Sequence, residues 1–220
     1  MRYPARICVM SVLMFASFAG HASLIINGSF EDNDVRNGSW KWYNAANVNG
    51  WHGSNIEIWD SLYRFDSFDG EQHAELNAHG GSGGMAYSIF QTFTTEISSR
   101  YLVSFAYAAR SSLAEAFRFD ILGCSNDVLF SQTIDDHTIK NWSEFSTTFV
   151  AVSTESTIRF TSLNGNSTVG NFLDAINVAE DPGPQTVISS TSVPEPATMF
   201  LSAMALTGFL VRRRSLTKKT

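Results

Sequence analysis

Between Leu24 and Ala179 apolar and polar residues alternate with a period of two, the repeat of a strand buried on one face. The runs are Leu24–Ile26, Ile56–Trp59, Gln72–Ala78, Ala86–Thr94, Tyr101–Ala109, Ala116–Leu122, Phe145–Val152, Ser156–Ser162 and Phe172–Val178, separated by clusters of Gly, Asn, Asp and Ser. Alternation groups Tyr101, Val103, Phe105 and Tyr107 on one face, and Phe117, Phe119 and Ile121 on another, so these side chains are expected in the core. Many short strands with no long amphipathic helix predict an all-β fold, an antiparallel β-sandwich of the jelly-roll kind, over residues 23–180. There is no internal repeat.

Two apolar runs fall outside this pattern. Arg2 and Arg6 precede an apolar stretch from Ile7 to Phe18, and Gly20-His21-Ala22 supplies small residues where a signal peptidase reads them. Residues 1–22 therefore read as a signal peptide cut after Ala22. An uncleaved anchor is the alternative, opposed by the shortness of the run against a bilayer core about 30 Å thick. At the other end, residues 181–193 are rich in Pro, Ser and Thr and read as a linker. Pro194, Glu195 and Pro196 follow, then an apolar run to Val211, then Arg212, Arg213 and Arg214, with residues 215–220 as a cytoplasmic tail. Two prolines flanking one residue hold an extended, accessible segment, which suits a processing enzyme better than a plain single-pass anchor. Basic residues stay on the cytoplasmic side, which places the rest of the chain outside.

A Pro-Glu-Pro box, a short apolar helix and an arginine cluster in that order resemble the PEP-CTERM sorting signal, here over residues 194–214. The resemblance implies an exosortase-type processing enzyme as partner, in a Gram-negative bacterium. The chain would be anchored transiently by its C-terminal helix and then pass to the cell surface or the extracellular matrix, the setting of a biofilm protein.

Charge separates the ends from the middle. Of the 15 Lys and Arg residues, Arg2, Arg6, Arg212, Arg213, Arg214, Lys218 and Lys219 lie in the end segments, whereas Glu195 alone of the 21 acids does. The sandwich region is therefore more acidic than the chain's net charge of −6 suggests, and such a surface repels phosphate backbones. Nucleic acid is excluded as a partner on that ground. Cys8 falls in the signal peptide, which leaves Cys124 without an internal disulfide partner.

The central region resembles the galactose-binding-like sandwich domains. Its segments Ile26-Asn27-Gly28-Ser29-Phe30-Glu31, Gly50-Trp51, Ile56-Glu57-Ile58-Trp59, Gly70 to Leu76, Phe90 to Phe93, Tyr101 to Phe105 and Phe172-Leu173-Asp174 are similar to the plant cell-wall group called domain of unknown function 642, and more distantly to carbohydrate-binding modules. The resemblance implies a structural calcium ion tying the first strand to the last, held by Glu31, Asp174 and backbone carbonyls near Asn27. Alternation alone sets Asp174 beside Phe172, Ile176 and Val178, where a bare carboxylate is costly; backbone amides are the alternative to calcium.

His73, Glu75, Asn77 and His79 form the polar face of the strand whose other face is Gln72, Ala74, Leu76 and Ala78. A transition metal is one reading of that row, and a solvated or sugar-facing strand is the other. Trp40, Trp42 and Tyr43 lie in an Asn-rich stretch expected to be an exposed loop, whose flat rings suit sugar rings. Trp51 follows Gly50 and is expected in the core. No nucleophile elbow, catalytic triad order, zincin spacing or phosphate loop is present. The expectation is thus a non-catalytic, exported protein binding polysaccharide, with a structural matrix protein and a glycoside hydrolase using paired acids such as Glu57 and Glu75 as rivals.

Overall fold

A computed structural model describes residues 22–81, 85–165, 167–181 and 183. The expected signal-peptide run before Ala22, and Pro194, Glu195, Pro196, Arg212, Arg213 and Arg214, lie outside the described residues. The chain divides into two units after Gly183, and the account below concerns the first.

Eleven strands are formed among the described residues: β1 (Ser39–Tyr43), β2 (His52–Gly53), β3 (Ile56–Asp60), β4 (Gln72–Glu75), β5 (Ser88–Thr94), β6 (Arg100–Ala109), β7 (Phe117–Gly123), β8 (Val128–Ile134), β9 (Ser143–Val150), β10 (Glu155–Ser162) and β11 (Asn171–Glu180). They pair antiparallel into a six-stranded sheet, β1-β3-β4-β11-β6-β9, and a five-stranded sheet, β2-β5-β10-β7-β8. From β4 to β7 successive strands alternate between the sheets, which is the jelly-roll sandwich the alternation predicted. Among the described residues helix is confined to two 3-10 turns, Ala45–Asn47 and Leu62–Arg64.

The core lies between the sheets. Val103, Phe105 and Tyr107 of β6 face Phe117, Phe119 and Ile121 of β7 across it, all buried as the period of two requires. Trp51 is 1% exposed, stacks on Phe30 at 5.2 Å, and donates its indole N–H to the Asn27 carbonyl at 3.0 Å.

Three expectations are corrected. Leu24–Ile26 forms no strand; it is tied down by the Leu24 N–H donating to the Val178 carbonyl. The expected loop at Trp40, Trp42 and Tyr43 is the edge strand β1, paired along its length with β3. Lys41 between two tryptophans reads as loop composition, yet W-K-W is also a period of two.

The third correction concerns Asp174. Ala175 takes a φ of 50°, and the β11–β6 register shifts between Asp174 and Asn177. This bulge inserts one residue and reverses the phase of the strand. Leu173, Ile176 and Val178 enter the main core, while Phe172 packs on the far side of the sheet. Asp174 thus shares a face with Phe172 and not with Ile176 and Val178.

A second, smaller apolar layer covers that outer face. Trp59, Phe65, Ala108 and Phe172 pack together there with Leu62 and Trp142. Phe65 belongs to the 61–71 loop between β3 and β4, so the centre of the six-stranded sheet is sandwiched twice.

Candidate ligand-binding face

Strand pairing brings five outward side chains together at the β1 end of the six-stranded sheet. Trp40 lies opposite Trp59, Trp42 opposite Glu57, and Glu57 opposite Glu75. Trp40 and Trp42 are 37% and 45% exposed, whereas Glu57, Trp59 and Glu75 are closed off beneath them. Tyr43 points the other way, half-buried against the main core with Lys41 Nζ 4.7 Å from its ring centre. The expected trio is therefore split by the strand's own alternation.

The buried floor is fully hydrogen-bonded. Glu57 Oε1 accepts the Trp59 indole N–H at 2.8 Å, and Oε2 meets the backbone N–H and Nδ1 of His79 at 3.1 and 2.8 Å. Glu75 receives Arg110 Nη1 on both oxygens at 2.9 and 2.8 Å, and the Gly170 N–H at 2.8 Å. Arg110 also lies over the Trp59 ring at 4.7 Å. Burial pushes the Glu75 carboxyl well above the ordinary carboxylate value; the Arg110 charge opposes this and the Glu57 charge adds to it.

The polar row expected to face solvent is instead mostly interior. His73, Glu75 and Asn77 have no exposed surface, and only His79 reaches solvent, with 43% of its side chain exposed. His73 sits among Phe65, Trp142 and Phe172 at ring distances of 5.3, 5.4 and 4.7 Å, with Nδ1 2.9 Å from Ser67 Oγ. Burial lowers its pKa to about 3, so the ring is neutral and structural. Asn77 donates to the Ser167 carbonyl, and a Cβ at Gly170 would collide with its Oδ1.

His79 packs its ring on Trp40 at 4.8 Å. Gly80, at a φ of +87°, follows it and passes so close to Asn55 and Trp42 that a side chain there would clash with the Asn55 amide. The open surface is thus built of Trp40, Trp42 and His79, with the partly exposed Arg110 beside them. Tyr63 is 70% exposed and lies 6.1 Å from Trp59, in a turn where Ser61, Tyr63 and Arg64 all take positive φ.

Trp59 and Tyr63 stand out in the sequence as aromatics, whereas Arg110 does not. Arg110 was within reach, since Ala106, Ala108 and Arg110 continue the outward parity of β6.

Glu31 and Asp174 act on one loop from two sides. Asp174 Oδ2 accepts the N–H groups of Phe68 and Asp69 at 2.8 and 3.0 Å, and Oδ1 accepts that of Ala175 at 2.7 Å. Glu31 Oε1 accepts the N–H groups of Glu71 and Gln72, both at 2.8 Å. The Asn27 carbonyl is taken by Trp51 and Phe30. Burial raises Asp174 to a pKa of about 7 against these amides. Among the described residues no group of three or more His, Cys, Asp or Glu is placed to hold a metal ion, and none has a helix long and apolar enough to cross a membrane. Cys124 is a free, exposed thiol.

Residues 192–214 match the family described as the PEP-CTERM protein-sorting motif. The chain carries an export and surface-sorting signal. No curated protein matches the chain. Among solved structures, a domain titled as CBM4 is 19% identical, with 71% of this chain and 99% of that one covered and a TM-score of 0.44. A family 61 module in complex with β-1,4-galactotriose is 12% identical over 73% of this chain and 99% of that one, with a TM-score of 0.47. A family 16 carbohydrate-binding module is 14% identical over 71% and 99%, with a TM-score of 0.48.

Proposed function

We propose that this surface-sorted protein is a non-catalytic polysaccharide-binding module, and that the β1 end of the six-stranded sheet takes a neutral or amidated glycan. The observation that carries the reading is the pair of exposed tryptophans on a regular strand over a satisfied polar floor. Sheet side chains two apart are about 6–7 Å apart, which presents Trp40 and Trp42 as adjacent platforms for sugar rings. His79 and Arg110 border them with donors for hydroxyl groups. The rings are held in place by pairing and by Gly80, so little order is lost on binding.

Catalysis is disfavoured by the same geometry. Glu57 and Glu75, the paired acids a glycoside hydrolase would need, have no exposed surface and spend their oxygens on Trp59, His79, Arg110 and Gly170. For the calcium ion expected at Glu31 and Asp174 the donor set does not fit as arranged. Every carboxylate oxygen of the two except Glu31 Oε2 already accepts an N–H group, against the six to eight oxygens calcium takes. No part of the proposal uses one. The proposal includes transient anchoring in a Gram-negative inner membrane, processing by an exosortase-type enzyme, and release to the surface matrix.

The test is affinity electrophoresis of the full chain through gels holding neutral polysaccharides, after a glycan array has chosen them. Trp42→Ala is expected to weaken retention several-fold, since one stacked ring contributes about 0.5–1.5 kcal/mol, and to leave the melting temperature nearly unchanged. Retention on no glycan, or equal retention of the variant, refutes this reading and favours a structural matrix protein.

A further inference from the structure

The outer face of the five-stranded sheet looks away from the tryptophans, on the opposite side of the sandwich. Among the described residues no second layer of side chains covers it. Its strands run in register, so side chains form cross-strand rows. One row is His52, Phe90, Arg159, Asp120 and Ser131; the next is Ser88, Thr161, Arg118 and Thr133; a third contains Thr92 and Thr157. Hydroxyl side chains dominate these rows, and Thr92, Ser131 and Thr133 are exposed.

At the centre two guanidinium groups share one carboxylate. Asp120 is 2% exposed, and its Oδ2 accepts Arg118 Nε at 3.1 Å and Arg159 Nε and Nη2 at 3.2 and 2.9 Å. Its Oδ1 accepts the Ser131 hydroxyl at 2.7 Å. Burial alone would raise this carboxyl, but Ser131, Arg159 and Arg118 overcome it and hold it below the ordinary value. Asp120 is thus ionised and neutralises one arginine, leaving a net positive charge at the middle of the face. Arg118 Nη1 and Nη2 and Arg159 Nη1 are the remaining donors, on side chains 44% and 30% exposed. In these five strands the one other acid is Glu155, two positions along β10 beyond Thr157. Two arginines against two acids leave these strands neutral overall in a chain of 21 acids, and the positive charge is confined to the Arg118–Arg159 centre.

We propose that this face is a second glycan site, specific for uronate-bearing acidic polysaccharide. The uronate carboxylate would bridge the free nitrogens of Arg118 and Arg159, and the Ser and Thr rows would bond the ring hydroxyls on either side. Charge complementarity selects this occupant, because a guanidinium pair matches carboxylate oxygens, with the His52 and Phe90 rings, 5.7 Å apart, at the end of the same row. With the tryptophans on the opposite face, one molecule would hold two chains at once and cross-link a matrix. The site is independent of the neutral-glycan reading.

The test uses the full chain in gels containing polygalacturonate, with a neutral polysaccharide gel alongside. Wild type is expected to be retarded by polygalacturonate. Arg159→Gln should weaken that binding about tenfold, the size of one lost charge-assisted contact. Thr133→Glu places a negative charge on the same face without touching Asp120, and the same loss is expected even if Arg159→Gln fails to fold. Trp42→Ala should bind polygalacturonate as wild type does. Absence of retardation, wild-type binding by Thr133→Glu, or loss of polygalacturonate binding in Trp42→Ala overturns the second site. Loss of neutral-glycan binding alone leaves it standing.

Discussion

Removing Arg110 tests the buried floor of the tryptophan face. Glu75 has no exposed surface, and in Arg110→Met it keeps one donor, the Gly170 N–H, while Glu57 remains directly across the strand pair. Breaking a buried ion pair by removing one partner costs about 3–5 kcal/mol, because the other charge stays desolvated. For a unit of this size that is a fall in melting temperature of about 6–20 °C. The loss should shrink at low pH. Burial already raises Glu75 above the usual carboxylate range, and without Arg110 the Gly170 N–H is the one group left to offset this, so the variant fold takes up a proton that the unfolded chain releases. A group raised in the fold stabilises below its unfolded pKa and loses that contribution as pH rises, so the gap between wild type and variant should widen from about pH 5 to pH 8. Glu75→Gln with Arg110→Met removes both charges and keeps an acceptor for Gly170, and should recover most of the loss. The assay is urea denaturation of wild type, both singles and the double variant at three pH values. A cost below about 1 kcal/mol for Arg110→Met at pH 7, or no recovery in the double variant, refutes the argument.

Asp174 gives a pH signature of its own: its folded pKa of about 7 lies above the ordinary 3.8, so the fold is more stable when it is protonated. Stability should fall as pH rises from about 4 to 7, by up to about 4 kcal/mol, the three amide donors being already included in that pKa. Asp174→Asn should flatten that slope, and denaturation curves with and without chelator should superimpose. Trp51→Ala should cost about 3–5 kcal/mol by thermal denaturation, unlike Trp42→Ala, because Trp51 is interior and stacked on Phe30. Replacing Pro194, Glu195 and Pro196 by alanine should leave a larger, membrane-retained species on immunoblots of fractionated cells; maturation like wild type would refute processing at that box.

Alternation made most of the sandwich legible, since it states which residues share a face. It does not state what lies on that face. His73, Glu75 and Asn77 share the outward side of β4 and its continuation, as expected, yet a polar row looks the same in sequence whether water or a second layer covers it. The cover over His73 comes from the 61–71 loop and Trp142, and that over Glu75 and Asn77 from Arg110 and the 167–170 segment, contacts made across many residues of sequence. Strands β2 and β8 were missed for a related reason. β2 is two residues long, and β8 runs Val128-Leu129-Phe130 and then Ser131-Gln132-Thr133, a block pattern on a sheet edge with a register shift. Phase was lost at Ala175 because a bulge at a non-glycine residue leaves no mark in composition.

The residues expected to hold calcium explain why the tryptophans are exposed. Asp174 grips the 61–71 loop at Phe68 and Asp69, Glu31 grips it at Glu71 and Gln72, and Trp142 Nε1 donates to the Asp66 carbonyl at 2.9 Å. These bonds hold the loop over β4 and β11, where Phe65 closes on Phe172 and His73. β1 lies at the opposite side of β3, at the sheet's edge, beyond that cover. The same alternation that buries Trp59 under the loop therefore leaves Trp40 open beside it. The anchors and the platforms form one device, and removing an anchor, as in Asp174→Ala, should uncover the inner aromatics before it disturbs Trp40 and Trp42.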